Sequence, residues 1–190
     1  PQSGEKRRGI GMAIFCYKTG VYPISLETAS SRMVLNQDGS AQLFMGATEI
    51  GQGADTVFTQ MAAESSGLRF EDIYIESTQD TDTAPFDTGA YASRQTYVSG
   101  TAVKKAGEQL RSKILEFASY IYPNAQGTLD LHDHAIFDAV GDKVCDLDEL
   151  ALEAYYNMEH NDQLYGRATI NIHSNTIAVG CSFADVTVDM

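Results

Sequence analysis

The sequence predicts an α+β fold in which helices pack on a mixed or antiparallel sheet. The order of elements points there first: a strand, a hairpin, a helix, a strand, a long helix and then further strands suit layers of helix on sheet. A strong turn signal, Asp38-Gly39, lies between two short apolar runs. A hydrophobic fraction of 43% over 190 residues is enough for a packed core, in one domain or in two small ones that share it.

Residues 9–17 are small and apolar. They read as a buried strand that ends before a Thr19-Gly20 turn. Residues 32–35 and 41–45 read as the two arms of the hairpin. Ala54, Val57, Phe58, Met61, Ala62 and Ser65 recur at helical spacing, which places a helix after residue 53 that Gly67 ends. Ile73 and Ile75 mark another strand. A polar loop rich in Thr and Asp, residues 78–89, leads to a long helix over 94–120. Its stripe is Val98, Ala102, Ala106, Leu110, Ile114 and Ala118, with Pro123 and Gly127 beyond its end. Residues 129–140 have room for a short strand pair. Asp146 and Glu149 have capping-box spacing, each side chain accepting the other residue's backbone N–H, so a helix is expected over 147–156. Residues 166–173 and 178–188 read as closing strands, with Ser174-Asn175 a turn signal between them.

Charge and cysteine usage narrow the function classes. The net charge is −13, so nonspecific binding to nucleic acid is opposed by repulsion and no nucleic-acid partner is expected. Residues 130–162 carry ten carboxylates against the single Lys143 and read as a solvated acidic face. No apolar run reaches the roughly 18 residues of a transmembrane helix, and no membrane partner is expected. The three cysteines, Cys16, Cys145 and Cys181, are scattered. That pattern points to a reducing, cytoplasmic setting and away from an iron–sulfur or zinc site in this chain. Cys16 and Cys181 fall in apolar strand-like runs and are expected in the core.

Two candidate cation sites are weaker than their structural readings. Asp80, Asp82 and Asp87, with Thr78, Thr81 and Thr83, offer hard oxygen ligands, but the spacing is not that of an EF-hand. A polar connection that caps the following helix is the better reading. His132 and His134 flank Asp133 and would share a metal only on one strand face; a surface strand is the better reading. No metal ligand is assigned.

Two loops carry more. Residues 46–53, Gly-Ala-Thr-Glu-Ile-Gly-Gln-Gly, place three glycines between a strand and a helix. Glycine lets backbone N–H groups approach a ligand, and a helix N-terminus adds free donors and a positive dipole end. Both favour an anion. Gln52 adds an amide that donates and accepts. The Walker A and Rossmann spacings are absent. The second loop, residues 87–96, also runs into a helix. Gly89, Ala90, Ala92 and Ser93 are small, while Ser93, Arg94, Gln95 and Thr96 offer hydroxyls, an amide and a charged fork. If the two helices lie side by side, both loops can meet one phosphate-bearing ligand.

These segments carry a family resemblance. Gly46-Ala47-Thr48-Glu49-Ile50-Gly51-Gln52-Gly53 resembles the GGTEMGQG-type motif of the molybdenum-binding subunit in the xanthine dehydrogenase and aldehyde oxidoreductase family of molybdenum hydroxylases. Ala92-Ser93-Arg94-Gln95-Thr96-Tyr97-Val98-Ser99-Gly100 resembles that family's second cofactor loop, of the GSRQ type. The likeness spans most of the chain, and residues 120–165 are the least distinctive. Ala47 stands where glycine is usual and Tyr91 where a small residue is common. Tyr91 would narrow the substrate pocket or pack beside the loop.

The resemblance implies the molybdenum cofactor-binding domain fold and a molybdenum–molybdopterin cofactor, in mononucleotide or dinucleotide form. Gly51, Gln52, Gly53, Ala92, Ser93, Arg94, Gln95 and Thr96 would bind it, and no side chain would ligate the metal. It implies hydroxylation of a purine-like heterocycle or an aldehyde with water as oxygen source. Iron–sulfur clusters and FAD would lie on other domains or subunits, the rest of the molybdenum subunit would be a partner, and a homodimer is compatible. The family's GE-type glutamate base and its GGGFGGK-type loop have no counterpart here. The chain is therefore expected to be an internal piece, 1–190 forming part of a molybdopterin-binding domain. Residues 1–122 would carry the cofactor loops and 123–190 a strand-helix-strand continuation. The catalytic base would lie outside, leaving the piece alone inactive. A non-catalytic phosphate- or nucleotide-binding or interaction module, using the same loops, is the competing reading.

Overall fold

The computed structural model describes residues 4–76 and 80–190. Thr78, one of the polar-loop residues above, lies outside them. In chain order the elements are strands β1 (Lys6–Lys18), β2 (Thr28–Leu35) and β3 (Ala41–Met45), helix α1 (Ala54–Ser66), strand β4 (Ile73–Glu76) and helix α2 (Val98–Ile121). Strands β5 (Asp130–His132), β6 (Ala135–Phe137) and β7 (Lys143–Asp146) follow, then helix α3 (Leu147–Tyr156) and strands β8 (Tyr165–Asn171) and β9 (Ile177–Asp189).

The hairpin forms where the turn signal placed it. Asp38 accepts from the Ser40 hydroxyl at 2.6 Å and the Ser40 N–H at 3.1 Å, and those bonds hold its carboxyl below the usual range. From the hairpin the main sheet grows outward in the order β4-β3-β2-β8. β3 and β4 are parallel, a pairing that needs a crossover, and α1 supplies it. β8 adds antiparallel to the other side of β2. The sheet is mixed and carries the helices, as an α+β fold requires.

Helix α2 lies across β2 and β8 with α1 beside it. Small residues set this close approach. A Cβ on Gly107 of α2 would stand 2.1 Å from the Ser65 hydroxyl of α1. One apolar cluster then joins Met33 and Leu43 of the sheet, Phe58 of α1, Leu110 of α2, Ile136 of β6 and Leu150 of α3. The second sheet, β5-β6-β7, thus shares the main core. β5 and β6 are the expected strand pair; β7, with only two apolar residues, gave no sequence signal. The α3 capping box of Asp146 and Glu149 forms as expected.

Three expectations are corrected: the start of α2, the burial of β1, and the core placement of Cys16 and Cys181. Helix α2 starts at Val98, not residue 94, because Ala92 and Ser93 take left-handed φ of 49° and 52° and residues 94–97 turn before the helix begins. β1 is not buried. All 13 of its residues are exposed, and it pairs only with β9, in an antiparallel ribbon apart from the main sheet. Its apolar composition suggests burial, yet its one strand partner is β9 and its side chains are left open. Cys16 and Cys181 lie on the ribbon and are exposed, whereas Cys145 is buried and burial pushes its thiol up to about 11. No described helix is long and apolar enough to cross a membrane.

Replacing Gly107 by Leu should push α1 off α2. Urea unfolding should show a loss of about 1–3 kcal/mol, the usual cost of overpacking. An unchanged midpoint would mean that the helix contact is not tight.

Candidate functional site

The two loops lie together because their helices do. Gln52 donates from Nε2 to the Gln95 side-chain oxygen at 2.5 Å and to the Thr48 carbonyl at 2.9 Å. Gln95 donates to that same carbonyl at 3.0 Å. The Gln52 side-chain oxygen accepts from the Ile50 N–H at 2.7 Å. Two glutamines therefore clasp the loops over one carbonyl. Beside the clasp lies a cavity of about 460 Å³. Gln52, Ala92, Ser93, Arg94, Gln95 and Thr96 all contribute to its wall, and Tyr17, Phe58 and Tyr91 supply aromatic surface. Among the described residues, its lining includes no Asp, Glu, His, Lys or Cys.

The N-terminus of α1 differs from expectation. Its amides already face an anion, the carboxylate of Glu49. That group accepts from the N–H of Gly51 at 2.6 Å, Gly53 at 3.2 Å and Asp55 at 3.1 Å. The Asp55 N–H leads the effects that hold the Glu49 carboxyl below the usual carboxylate range; burial opposes them, and the Gly51, Gly53 and Ala54 amides assist. Gly51 and Gly53 were expected to offer donors to a ligand, and here Glu49 takes those donors. What the two glycines leave is space: they sit at φ 97° and 81°, and a Cβ on either would meet nothing within 4 Å.

The second loop has the open donors. Ala92 and Ser93 hold consecutive left-handed conformations, which cost non-glycine residues about 1–3 kcal/mol each and mark a built feature. Among the described residues their N–H groups meet no acceptor. The Ala92 carbonyl is held by the Gly20 N–H at 2.8 Å. Ser93 and Thr96 are exposed and present hydroxyls.

Arg94 is placed differently from the sequence reading. Its guanidinium is fully buried and faces protein. Nε donates to Glu27 at 2.6 Å, one terminal nitrogen to Asp87 at 2.6 Å and to the Gly89 carbonyl at 2.8 Å, and the other to the Thr28 carbonyl at 2.8 Å. Burial opposes its charge, and the Glu27 and Asp87 contacts outweigh burial, so its pKa rises. Arg94 thus positions the loop and offers its side chain to no phosphate. Asp87, a candidate calcium ligand, is engaged by Arg94, by the Ser99 hydroxyl at 2.6 Å and by the Gly89 N–H at 2.8 Å. His132 stacks on Phe137, while His134 pairs with Asp72 at 2.9 Å, so the two histidines do not converge.

Sequence reasoning missed Glu27 and the cavity role of Tyr17. Glu27 lies 67 positions from its partner Arg94, and no local pattern announces it. Glu49 carried a usable signal, an acid just before a helix N-terminus.

A family model described as the molybdopterin cofactor-binding domain matches residues 1–190. The xanthine dehydrogenase molybdenum-binding subunit of Escherichia coli O157:H7 is 41% identical over 191 aligned positions, covering 100% of this chain and 25% of that protein. The carbon monoxide dehydrogenase large chain of Afipia carboxidovorans is 30% identical, covering 80% of this chain and 20% of that protein. Among solved structures, a Cu,Mo-CO dehydrogenase superposes with a TM-score of 0.80 at 25% identity, over 98% of this chain and 24% of that one. Quinoline 2-oxidoreductase from Pseudomonas putida 86 shares the fold at a TM-score of 0.80 and 21% identity, over 97% of this chain and 25% of that one. The chain spans about a quarter of the length of the first of these relatives.

Arg94→Met should strand two buried carboxylates. Thermal or urea unfolding should show a loss of about 3–5 kcal/mol; a neutral result would remove Arg94 from its anchoring role. Glu49→Gln tests the internal anion by pH. A depressed folded-state pKa adds stability that is complete above the ordinary carboxylate range and lost as pH falls through the folded value. The stability gap between native protein and variant should be constant near neutrality and narrow in acid. A gap independent of pH would show that the charge of Glu49 is not what the amides hold.

Proposed function

The chain belongs to the molybdopterin cofactor-binding domain family, and from that premise we propose that its two loops hold the cofactor inside a longer xanthine dehydrogenase-like molybdenum hydroxylase subunit. One observation carries the placement: the Gln52–Gln95 clasp brings both loops to the wall of a single cavity. The residues fit an anionic, oxygen-rich group with a phosphate. The Ala92 and Ser93 amides and the Ser93 and Thr96 hydroxyls are donors, and no neighbour crowds Gly51 or Gly53 beside them. Gln52 and Gln95 orient the loops and stand beside the ligand. Arg94 acts through the loop it fixes. Tyr91 and Phe58 keep water from one wall.

When bound, the cofactor supplies the redox chemistry that hydroxylates an electron-poor carbon with oxygen from water. The chain contributes binding, orientation and a dry wall. Among the described residues the cavity lining holds no carboxylate, imidazole, amine or thiol, and on this reading the proton-accepting group is supplied by the rest of the subunit. The name of the Escherichia relative supports a purine-like substrate, with aldehydes as the second class. Iron–sulfur clusters and FAD on other domains or subunits would take the electrons. Residues 1–190 serve as one partial domain, 1–122 presenting the loops and 123–190 buttressing the core behind them. Three free thiols suit a cytoplasmic setting.

In the intact subunit, Gln52→Ala should lower molybdenum retained through purification by about tenfold. Metal analysis finding full molybdenum would remove Gln52 from cofactor binding. The 190-residue chain alone should show no turnover with hypoxanthine or aldehydes, and turnover above buffer would place a base within it.

A further inference from the structure

The β1–β9 ribbon has a composition that its surroundings within the chain do not explain. Partners opposite each other on an antiparallel pair share a face. Met12, Ile14 and Cys16 share one with Phe183, Cys181 and Val179, and Ile10 extends it opposite Asp185, where an ion pair with Arg8 ends the apolar stretch. This face is bulky, apolar and open: Ile14 is 75% exposed, Phe183 73% and Val179 78%. A two-stranded ribbon is marginal by itself, and a contiguous apolar face of this kind marks an interaction surface.

The opposite face is small only in its middle, with Phe15 and Tyr17 toward the base. Gly9, Gly11 and Ala13 stand across from Val186, Ala184 and Ser182. Gly180 on this face has an internal reason, since a Cβ there would stand 2.3 Å from the Phe15 ring. Gly9 and Gly11 have none. Neither has a positive φ, and a Cβ on either would meet nothing within 4 Å. Glycine weakens a strand interior and is characteristic of sites where another backbone comes close.

We infer that the ribbon is embedded in the remainder of the longer subunit, its bulky face against an apolar core from that remainder and its glycine face against a closely approaching backbone segment. The matched stretch is 25% of the Escherichia relative, so three quarters of that polypeptide lies outside it. Lys6 pairs with Asp189, so in a longer chain both flanking segments leave from the same tip of the ribbon. A second copy fits less well, because a two-fold contact covers one face of each ribbon and leaves the other open. The base of the ribbon is tied to the second loop through the Gly20–Ala92 hydrogen bond, and Tyr17 lines the cavity, so the covering segments reach the mouth of the site.

Cys16 and Cys181 are probes already on the bulky face. The inference rests on the chain working inside a longer molybdenum subunit. Thiol labelling reads coverage whether or not molybdenum is bound, so its failure is distinct from failure of the cofactor reading. The intact subunit is labelled with iodoacetamide, and the peptides are quantified by mass spectrometry. Both thiols should react at least about a hundredfold slower in the native than in the urea-unfolded subunit, at a rate unchanged by dilution. Rapid native labelling of either would overturn the inference, and so would protection lost on dilution, which assigns the face to a second copy. Gly11→Val tests the other face. A β-branched residue favours an open strand, so a melting temperature unchanged or raised would overturn the close approach. A fall of about 2–4 °C or more in the intact subunit is expected.

Discussion

Arg94 lies wholly out of solvent between Glu27 and Asp87, and the loop that walls the cavity depends on that triad. One positive charge faces two negative ones, so the triad alone would carry an excess of negative charge. Neutral donors offset it: the Val21 N–H on Glu27, and the Gly89 N–H and Ser99 hydroxyl on Asp87. Buried ions of this kind are tolerable only as a complete, hydrogen-bonded set. The planar fork of arginine serves two carboxylates and two carbonyls at once, which a lysine ammonium cannot do in this geometry. The anchor also explains how Ala92 and Ser93, immediately before it, keep a strained backbone. Arg94 on one side and the Gly20 bond on the other leave that stretch little freedom to relax.

Glu49 changes what the first loop contributes. A glycine-rich helix N-terminus invites a phosphate, but here the chain supplies its own carboxylate to the same amides. The positive end of α1 is therefore partly neutralised before any ligand arrives. The first loop acts through shape and through Gln52, and the second loop through its open amides and hydroxyls. On the proposed reading, an anionic ligand would be steered toward residues 92–96 and kept off the α1 terminus. A symmetrical reading of the two loops would not produce that asymmetry.

The sequence was legible where chemistry is local. The Asp38-Gly39 turn, the α1 stripe with its Gly67 stop, and the Asp146–Glu149 box each need only neighbouring residues, and each formed as expected. The pairing of the loops was legible as a condition, that their helices lie side by side, and Gly107 meets it at the contact with Ser65. What was not legible depends on distant partners. Arg94 reads as a ligand for phosphate until Glu27, far away in the chain, is found beside it. β1 reads as core because its residues are apolar, and nothing local says that all 13 of them are exposed.

These features divide the work of the site. The chain fixes two loops on a rigid helix pair, closes them with an amide clasp and anchors one of them through a buried ion set. None of these contacts places a group near the cavity that can exchange a proton at neutral pH. A lining of amides, hydroxyls and aromatic rings suits binding and orientation, and near neutrality its charge does not change with pH. On the proposed reading, general-base chemistry would come from the rest of the subunit, and the base of the ribbon, where Tyr17 meets the cavity, faces that side. The exposed apolar ribbon and the missing base are in this sense one property. If the ribbon is covered as inferred, both would belong to a cavity whose second wall is carried by polypeptide that packs on β1 and β9.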